Sequence, residues 1–323
     1  MTRVVVSAPG KLMISGEYVV LDGAEALVAA VDRRLVVIGS AAAPDRSGAP
    51  SGGSPDGGSL PPEALLARQY AEAALGETPM DLTLDASALR SGAHKLGLGS
   101  SSAASAAAAG AVLAWRGEDP AAHRRQILGW ALAGHRAIAP EGSGADVAAA
   151  TLGGIVRFTR SRAEAAESLD WPYGLWVEVV WTGKPARTNV LVAKVKSLAV
   201  SDPAAYRARM SALRDASDAF LAAFVDGDAA RACLAADAHG VAMGALGDAA
   251  DAPIVTEELH AVAELARTCG GGAKPSGAGG GDVALAFFRR AEDAARFRAG
   301  CAAADLTLLS LTLGAEGVLA TER

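Results

Sequence analysis

The stretch "KLGLGSSSAASAAAAG", residues 95–110, runs a glycine-rich turn straight into a series of small residues. Alanine is the strongest helix former and serine favours helix starts, so the segment predicts a turn that opens into a helix. A helix start carries unpaired backbone N–H groups and a partial positive charge. The approach through Gly97 and Gly99 lets a ligand come close to the backbone, and Ser100, Ser101 and Ser102 offer hydroxyls to phosphate oxygens or a magnesium ion. A plainer reading is a serine-capped alanine helix with no ligand at all.

The rest of the chain narrows the choice of ligand. Its 323 residues are 51% apolar with a formal net charge of -6, which suits one large or two medium globular domains. No block of Lys and Arg stands out, so no nucleic-acid partner is expected, because a phosphate backbone needs a clustered basic footprint. Cys233, Cys269 and Cys301 lack metal-ligand spacing, which argues against a disulfide framework or a zinc site. The start "MTRVVVSAPGK" has no long apolar run, and glycine or charge interrupts every other apolar stretch, so the expectation is a cytoplasmic protein without a membrane partner. A small-molecule substrate is the better match.

Only six of the 30 basic residues are lysines. Four of them, Lys11, Lys95, Lys184 and Lys274, sit in or beside Pro/Gly-rich segments: "APGK", "HKLGLG", "TGKP" and "AKPSGAGGG". Either these are compact ammonium groups kept for a phosphate, or they are ordinary lysines on loop surfaces.

Along the chain, "RVVVSAPGKLMIS" predicts strand interrupted by a Pro-Gly turn. Residues 41–61 form a Gly/Ser/Pro/Asp tract that reads as a flexible insertion. Helices are expected at "PPEALLARQYAEAAL" and "DPAAHRRQILGWALAGHRAI", with a strand at "DLTLDAS" between them. A boundary falls near Trp171, giving domains 1–170 and 171–323. The second half predicts the strand "LWVEVVWTG", two long helices between 202 and 246, the helix "TEELHAVAELARTC", a glycine-rich loop, the strand "DVALAFF", a helix, and a last strand "LTLLSLTLG". Two nucleotide signatures are excluded. No G-x-x-x-x-G-K-[ST] occurs, and "GAGGGD" precedes a predicted strand where a dinucleotide fingerprint needs a helix.

Taken together, "APGKLMISGEYVVL", "KLGLGSSSAAS" and "KPSGAGGGD" resemble the three ordered motifs of the GHMP kinases, over nearly the whole chain. The resemblance implies an α+β, two-domain GHMP kinase fold. Its N-terminal ATP-binding α/β domain would be like domain 2 of ribosomal protein S5, and its C-terminal domain a ferredoxin-like α+β sandwich. Within the family, "KLGLGSS", "GSGADVAAATLGG", "WTGKPARTNVLV" and "AKPSGAGGGD" look most like the phosphomevalonate kinase group, which uses ATP and Mg2+ on a phosphorylated mevalonate. Mevalonate kinase or another small-molecule kinase of the family is the alternative, followed by a diphosphomevalonate decarboxylase or a non-catalytic binding protein.

The same resemblance assigns roles. Lys11 and Asp146 would be catalytic. Lys95, Gly97, Leu98, Gly99, Ser100, Ser101 and Ser102 would bind the nucleotide, with Ser101 the magnesium contact. Lys184, Arg157, Ser276, Gly277, Ala278, Gly279 and Gly280 would serve the acceptor. Lys184 and Arg157 read equally as a solvated turn lysine and an exposed strand charge. Mevalonate kinases usually carry a glutamate magnesium ligand eleven residues before the loop aspartate, where this chain has His135. The resemblance leaves monomer and homodimer open.

Overall fold

The computed structural model describes residues 3–42 and 59–322. Most of the expected insertion, residues 43–58, lies outside them. The described chain separates into two compact units, the first made of 1–12, 28–168 and 312–323, the second of 13–27 and 169–311. A division at 170 differs from this by two exchanged segments, 13–27 and 312–323. Local sequence cannot reveal the exchange, because it depends on which distant strands each segment joins.

The first strand, β1 (Arg3–Ser15), is buried along nearly all its length, as a strand covered on both faces should be. The expected Pro-Gly turn does not form. Pairing to the C-terminal strand covers Val5, Val6 and Ser7 only, so Pro9 lies beyond it and its missing N–H leaves that ladder intact. Gly10 leaves room for the glycine-rich turn to pass close by: a Cβ there would lie 2.9 Å from the Leu98 carbonyl oxygen.

The chain continues through β2 (Glu25–Ala41), α1 (Pro62–Leu75), β3 (Met80–Asp85), a small ribbon of β4 (Arg90–Ser91) and β5 (His94–Lys95), α2 (Ser100–Trp115), α3 (Arg124–Ile138), α4 (Ala145–Leu152), β6 (Ile155–Thr159) and β7 (Glu167–Leu169). Next come β8 (Trp176–Trp181), α5 (Thr188–Ser201), α6 (Pro203–Val225), α7 (Ala229–Ala249), α8 (Glu257–Thr268), β9 (Gly272–Ser276), β10 (Val283–Phe288), α9 (Ala291–Ala303) and β11 (Thr307–Leu308), before β12 (Leu319–Glu322). Helix α4 forms where the sequence reads as a glycine-serine loop, and helix α5 and strands β9 and β12 add to the expected elements. The predicted strand "LTLLSLTLG" shrinks to the two residues of β11, and of its later leucines Leu313 makes only an isolated bridge to Val31.

Among the described residues, one sheet runs β12-β1-β2-β6-β7 with β3 also paired to β2, and a four-stranded sheet runs β11-β8-β10-β9. Helix α2 is the centre of the first unit: every residue from Ser102 to Ala114 is buried. A helix apolar all round belongs in a core, and its alanines let α1, α3 and α4 approach closely. In the second unit β9 and β10 form an antiparallel hairpin, with Ser276 opposite Val283. The glycine-rich turn is its loop. No helix among the described residues is long and apolar enough to cross a membrane, and the three cysteines are buried and unbridged.

Candidate active site

In the first unit, the loop before α2 is built by alternation. Leu96 and Leu98 are buried and pin the chain, while Gly97 (φ 73°) and Gly99 (φ 76°) take the left-handed turns between them. Gly99 is the N-cap of α2, and no side chain caps that helix. The serines therefore lie inside the first turn, which removes the plainer reading of them as caps. By contrast α6, α7 and α8 are closed by the side chains of Asp202, Asp228 and Thr256. The start of α2, like that of α4, has no side-chain cap, and its amides and partial positive charge suit an anion. Ser100 and Ser101 are half-buried, whereas Ser102 is buried and belongs with the core.

Lys11 ties this loop to a second helix start. Its backbone N–H donates to the Leu98 carbonyl at 2.9 Å. Its stem packs beneath Gly99, where a Cβ would come 2.8 Å from Lys11 Cγ. Its Nζ reaches Asp146 Oδ2 at 3.2 Å, the two side chains being 9% and 36% exposed. Asp146 sits in the first turn of α4, whose N-cap is the left-handed Gly144. One lysine thus joins two glycine-led helix starts, by its backbone and stem at α2 and by its ammonium at α4, with a partly exposed carboxylate beside it.

His135, on α3, points toward this corner. Burial holds its imidazole below the usual histidine range against the pull of Asp146, and Nε2 is buried without a hydrogen-bond partner. Among the described residues no three His, Cys, Asp or Glu side chains are grouped to hold a metal ion. The oxygens of Ser101 and Asp146 still suit magnesium, which takes few protein ligands and completes its shell with phosphate and water.

The other expected residues are distributed as follows. Lys95 is exposed on β5 opposite Arg90. Arg157, on β6 of the first unit, lies 3.9 Å from Glu167. In the second unit Lys184 is exposed and ion-paired with Glu258, whose carboxyl is held down to about 2, first by that bond. The turn carrying Lys184 is fixed to the glycine loop: Asp282 N–H donates to the Lys184 carbonyl at 2.7 Å, and Ala186 N–H donates to Asp282 Oδ1 at 3.1 Å. Gly277, Gly279 and Gly280 all have positive φ. Ser276 is committed internally, its hydroxyl accepting from Met13 N–H at 2.9 Å and donating to the Met13 carbonyl at 3.1 Å.

Lys274 departs from the reading of glycine-flanked lysines as phosphate ligands. It is fully buried and paired with Glu17, a residue the sequence did not flag. His239 Nε2 of α7 lies 3.3 Å from Glu17 Oε2. Gly240 makes this approach possible, since a Cβ there would stand 2.5 Å from the Ala273 carbonyl oxygen of β9. Burial pushes the Glu17 carboxyl up while Lys274 opposes it, and burial drives His239 well below its ordinary value. A signal existed: Glu17 is a lone carboxylate inside "MISGEYVVL", and such a charge needs a buried partner.

Comparison with known proteins bears on these features. A family model described as the GHMP kinases N terminal domain matches residues 64–154, and one described as GHMP kinases C terminal matches 220–304. A phosphomevalonate kinase of Streptomyces sp. (strain CL190) is 30% identical over 368 residues, covering 96% of this chain and 97% of that protein. A mevalonate kinase of Aeropyrum pernix is also 30% identical, over 304 residues, with 88% and 89% covered. Among solved structures, Streptococcus pneumoniae phosphomevalonate kinase in complex with phosphomevalonate and AMPPNP has a TM-score of 0.76 at 18% identity, covering 96% of this chain and 99% of that one.

Proposed function

This chain belongs to the GHMP kinase family, and on that footing we propose that it transfers the terminal phosphoryl group of ATP to 5-phosphomevalonate, giving 5-diphosphomevalonate. ATP use is common to the family; the acceptor is our reading. The transfer is carried by Lys11, which joins the glycine turn of α2 to Asp146 at 3.2 Å, and the acceptor by the likeness to the Streptomyces phosphomevalonate kinase over 96% of the chain.

Phosphoryl transfer asks for positioning and charge neutralisation more than for covalent chemistry. The cradle at Gly99, which a Cβ would fill, suits the donor's phosphate oxygens, and the uncapped start of α2 supplies N–H donors to them. Lys95 adds a cation on the approach. Ser101, with Asp146 nearby in role, would hold Mg2+, which when bound would offset the negative charge of the triphosphate. Lys11, almost buried, keeps its ammonium where charge develops during transfer.

The acceptor decides what Asp146 must do. A phosphomonoester has a second pKa of about 6 and is already largely dianionic at neutral pH. Its oxygen needs no general base, so Asp146 orients Lys11 and takes no proton. An alcohol acceptor would need one. For the second unit, the reading assigns Lys184 and the backbone N–H groups of Ala278 and Gly279 to the acceptor's phosphate, while those of Gly277 and Gly280 are given to Glu17 and the Ile254 carbonyl and shape the turn. Lys184 would exchange Glu258 for that phosphate.

The equal identity to a mevalonate kinase keeps one second reading in view. Purified protein with ATP, Mg2+ and either 5-phosphomevalonate or mevalonate separates the two by phosphorus NMR. A diphosphate product from the 5-phosphate is expected. Product from mevalonate alone would reject the proposal.

A further inference from the structure

We propose that residues 13–18, the tail of the first motif, form a clamp that presets the glycine turn of the second unit, with Glu17 and Tyr18 as positioning residues. The clamp takes hold of three successive residues. Ser276 is bonded through its hydroxyl to both backbone groups of Met13. Gly277 N–H donates to Glu17 Oε1 at 3.2 Å. Tyr18 O–H donates to the Ala278 carbonyl at 2.6 Å, and burial followed by the charge of Glu17 keeps that phenol protonated. Every one of these groups lies in the second unit.

The clamp is itself held from behind. Lys274 donates to Glu17 and to the Pro275 carbonyl at 2.7 Å, next to the turn. Tyr18 sits at φ 61°, ψ -53°, a conformation that a non-glycine residue keeps only when its surroundings enforce it. The preceding Gly16, at φ 100°, is packed so tightly that a Cβ would meet Ala26 Cα at 2.6 Å. On the far side of the turn, Gly280 N–H donates to the Ile254 carbonyl at 2.8 Å.

A buried ion pair is weak evidence of stabilisation, since well-packed apolar residues often serve the fold as well or better. Here the carboxyl also accepts from the Gly277 amide and so anchors the turn, which an apolar side chain could not do. A turn with glycines at 277, 279, 280 and 281 would sample many conformations on its own, and a ligand would have to order it. Fixing Gly277 N–H and the Ala278 carbonyl beforehand removes that cost from the binding step. This purpose rests on the reading of the turn as a phosphate site; the clamp does not.

The test uses the full chain in two forms, Tyr18→Phe and the double variant Glu17→Leu with Lys274→Met, which replaces the pair by apolar side chains of similar size. Amide hydrogen exchange of the segment 272–282, without substrates, is read beside kcat and the KM for ATP. Exchange in the turn should accelerate by about tenfold or more while the rest of the second unit stays protected. Turnover should fall about 10- to 100-fold with the KM for ATP little changed. Unaltered exchange and kcat in folded Tyr18→Phe would overturn the clamp, and this variant decides alone if the double variant does not fold. Should the parent protein phosphorylate neither acceptor, the proposed function fails while the exchange data still judge the clamp.

Discussion

Lys11 with Asp146 in the first unit and Lys274 with Glu17 in the second are the same pair of functional groups in two different solvents. The first pair is 9% and 36% exposed, the second 0% and 1%. In the first, water and ligand reach the carboxylate, so the charges are available for chemistry and their pairing contributes little to the fold. In the second the charges are sealed from water beside His239 and backbone groups, so removing one strands the other. Both lysines follow or precede proline or glycine in the sequence. Burial separates a pair that a ligand can reach from one sealed inside the scaffold.

The largest expected effect lies on the buried side. Lys274→Met leaves the Glu17 carboxyl without its partner and should cost about 3–5 kcal/mol in urea unfolding. A loss below about 1 kcal/mol would mean that the second pair resembles the first after all. On the open side, Gly99→Ala forces a side chain into φ 76° against Lys11 Cγ. The strain is about 1–2 kcal/mol, and the KM for ATP should rise about tenfold, with unfolding of the second unit unchanged. An unchanged KM would remove the cradle from the nucleotide site.

A smaller effect sharpens the contrast through pH. Burial first, and then the charge of Lys274, hold His239 well below the usual histidine range, so the folded protein keeps it neutral. The unfolded chain protonates it below about pH 6.5. Its contribution to stability is therefore complete above that pH and declines as pH falls, by about 1.4 kcal/mol between pH 7.5 and 5.5. Urea melts at those two pH values should show this loss in the parent and a correspondingly smaller one in His239→Gln. Equal losses in the two proteins would show that His239 is not the group responsible.

The sequence made one side of the comparison legible and left the other hidden. The turn before α2 could be read because its glycines, leucines and serines lie within a few residues, and the left-handed positions need glycine whatever surrounds them. The second glycine turn could be read as a loop before a strand, but β9 and the hairpin it forms with β10 could not. Glu17 and Lys274 stand 257 residues apart, and no local pattern links them. The same limit explains the uninterrupted β1, whose Pro-Gly pair looks like a turn until its pairing partners are known, and β12, four residues given their conformation by a strand near the opposite terminus. Ser276 enters the expected site through the resemblance, as the start of the turn that closes on the acceptor, yet its hydroxyl is spent on Met13. Helix α5 was missed because valines and lysines at its face read as strand or loop until α6 packs against them.

The most direct measurement is the steady-state turnover of Lys11→Met with ATP and 5-phosphomevalonate, beside its melting temperature. The variant should fold like the parent, because Asp146 remains partly hydrated, and lose about 10²- to 10³-fold in kcat. A folded Lys11→Met that turns over within a few-fold of the parent would contradict the assignment of the open pair to the reaction.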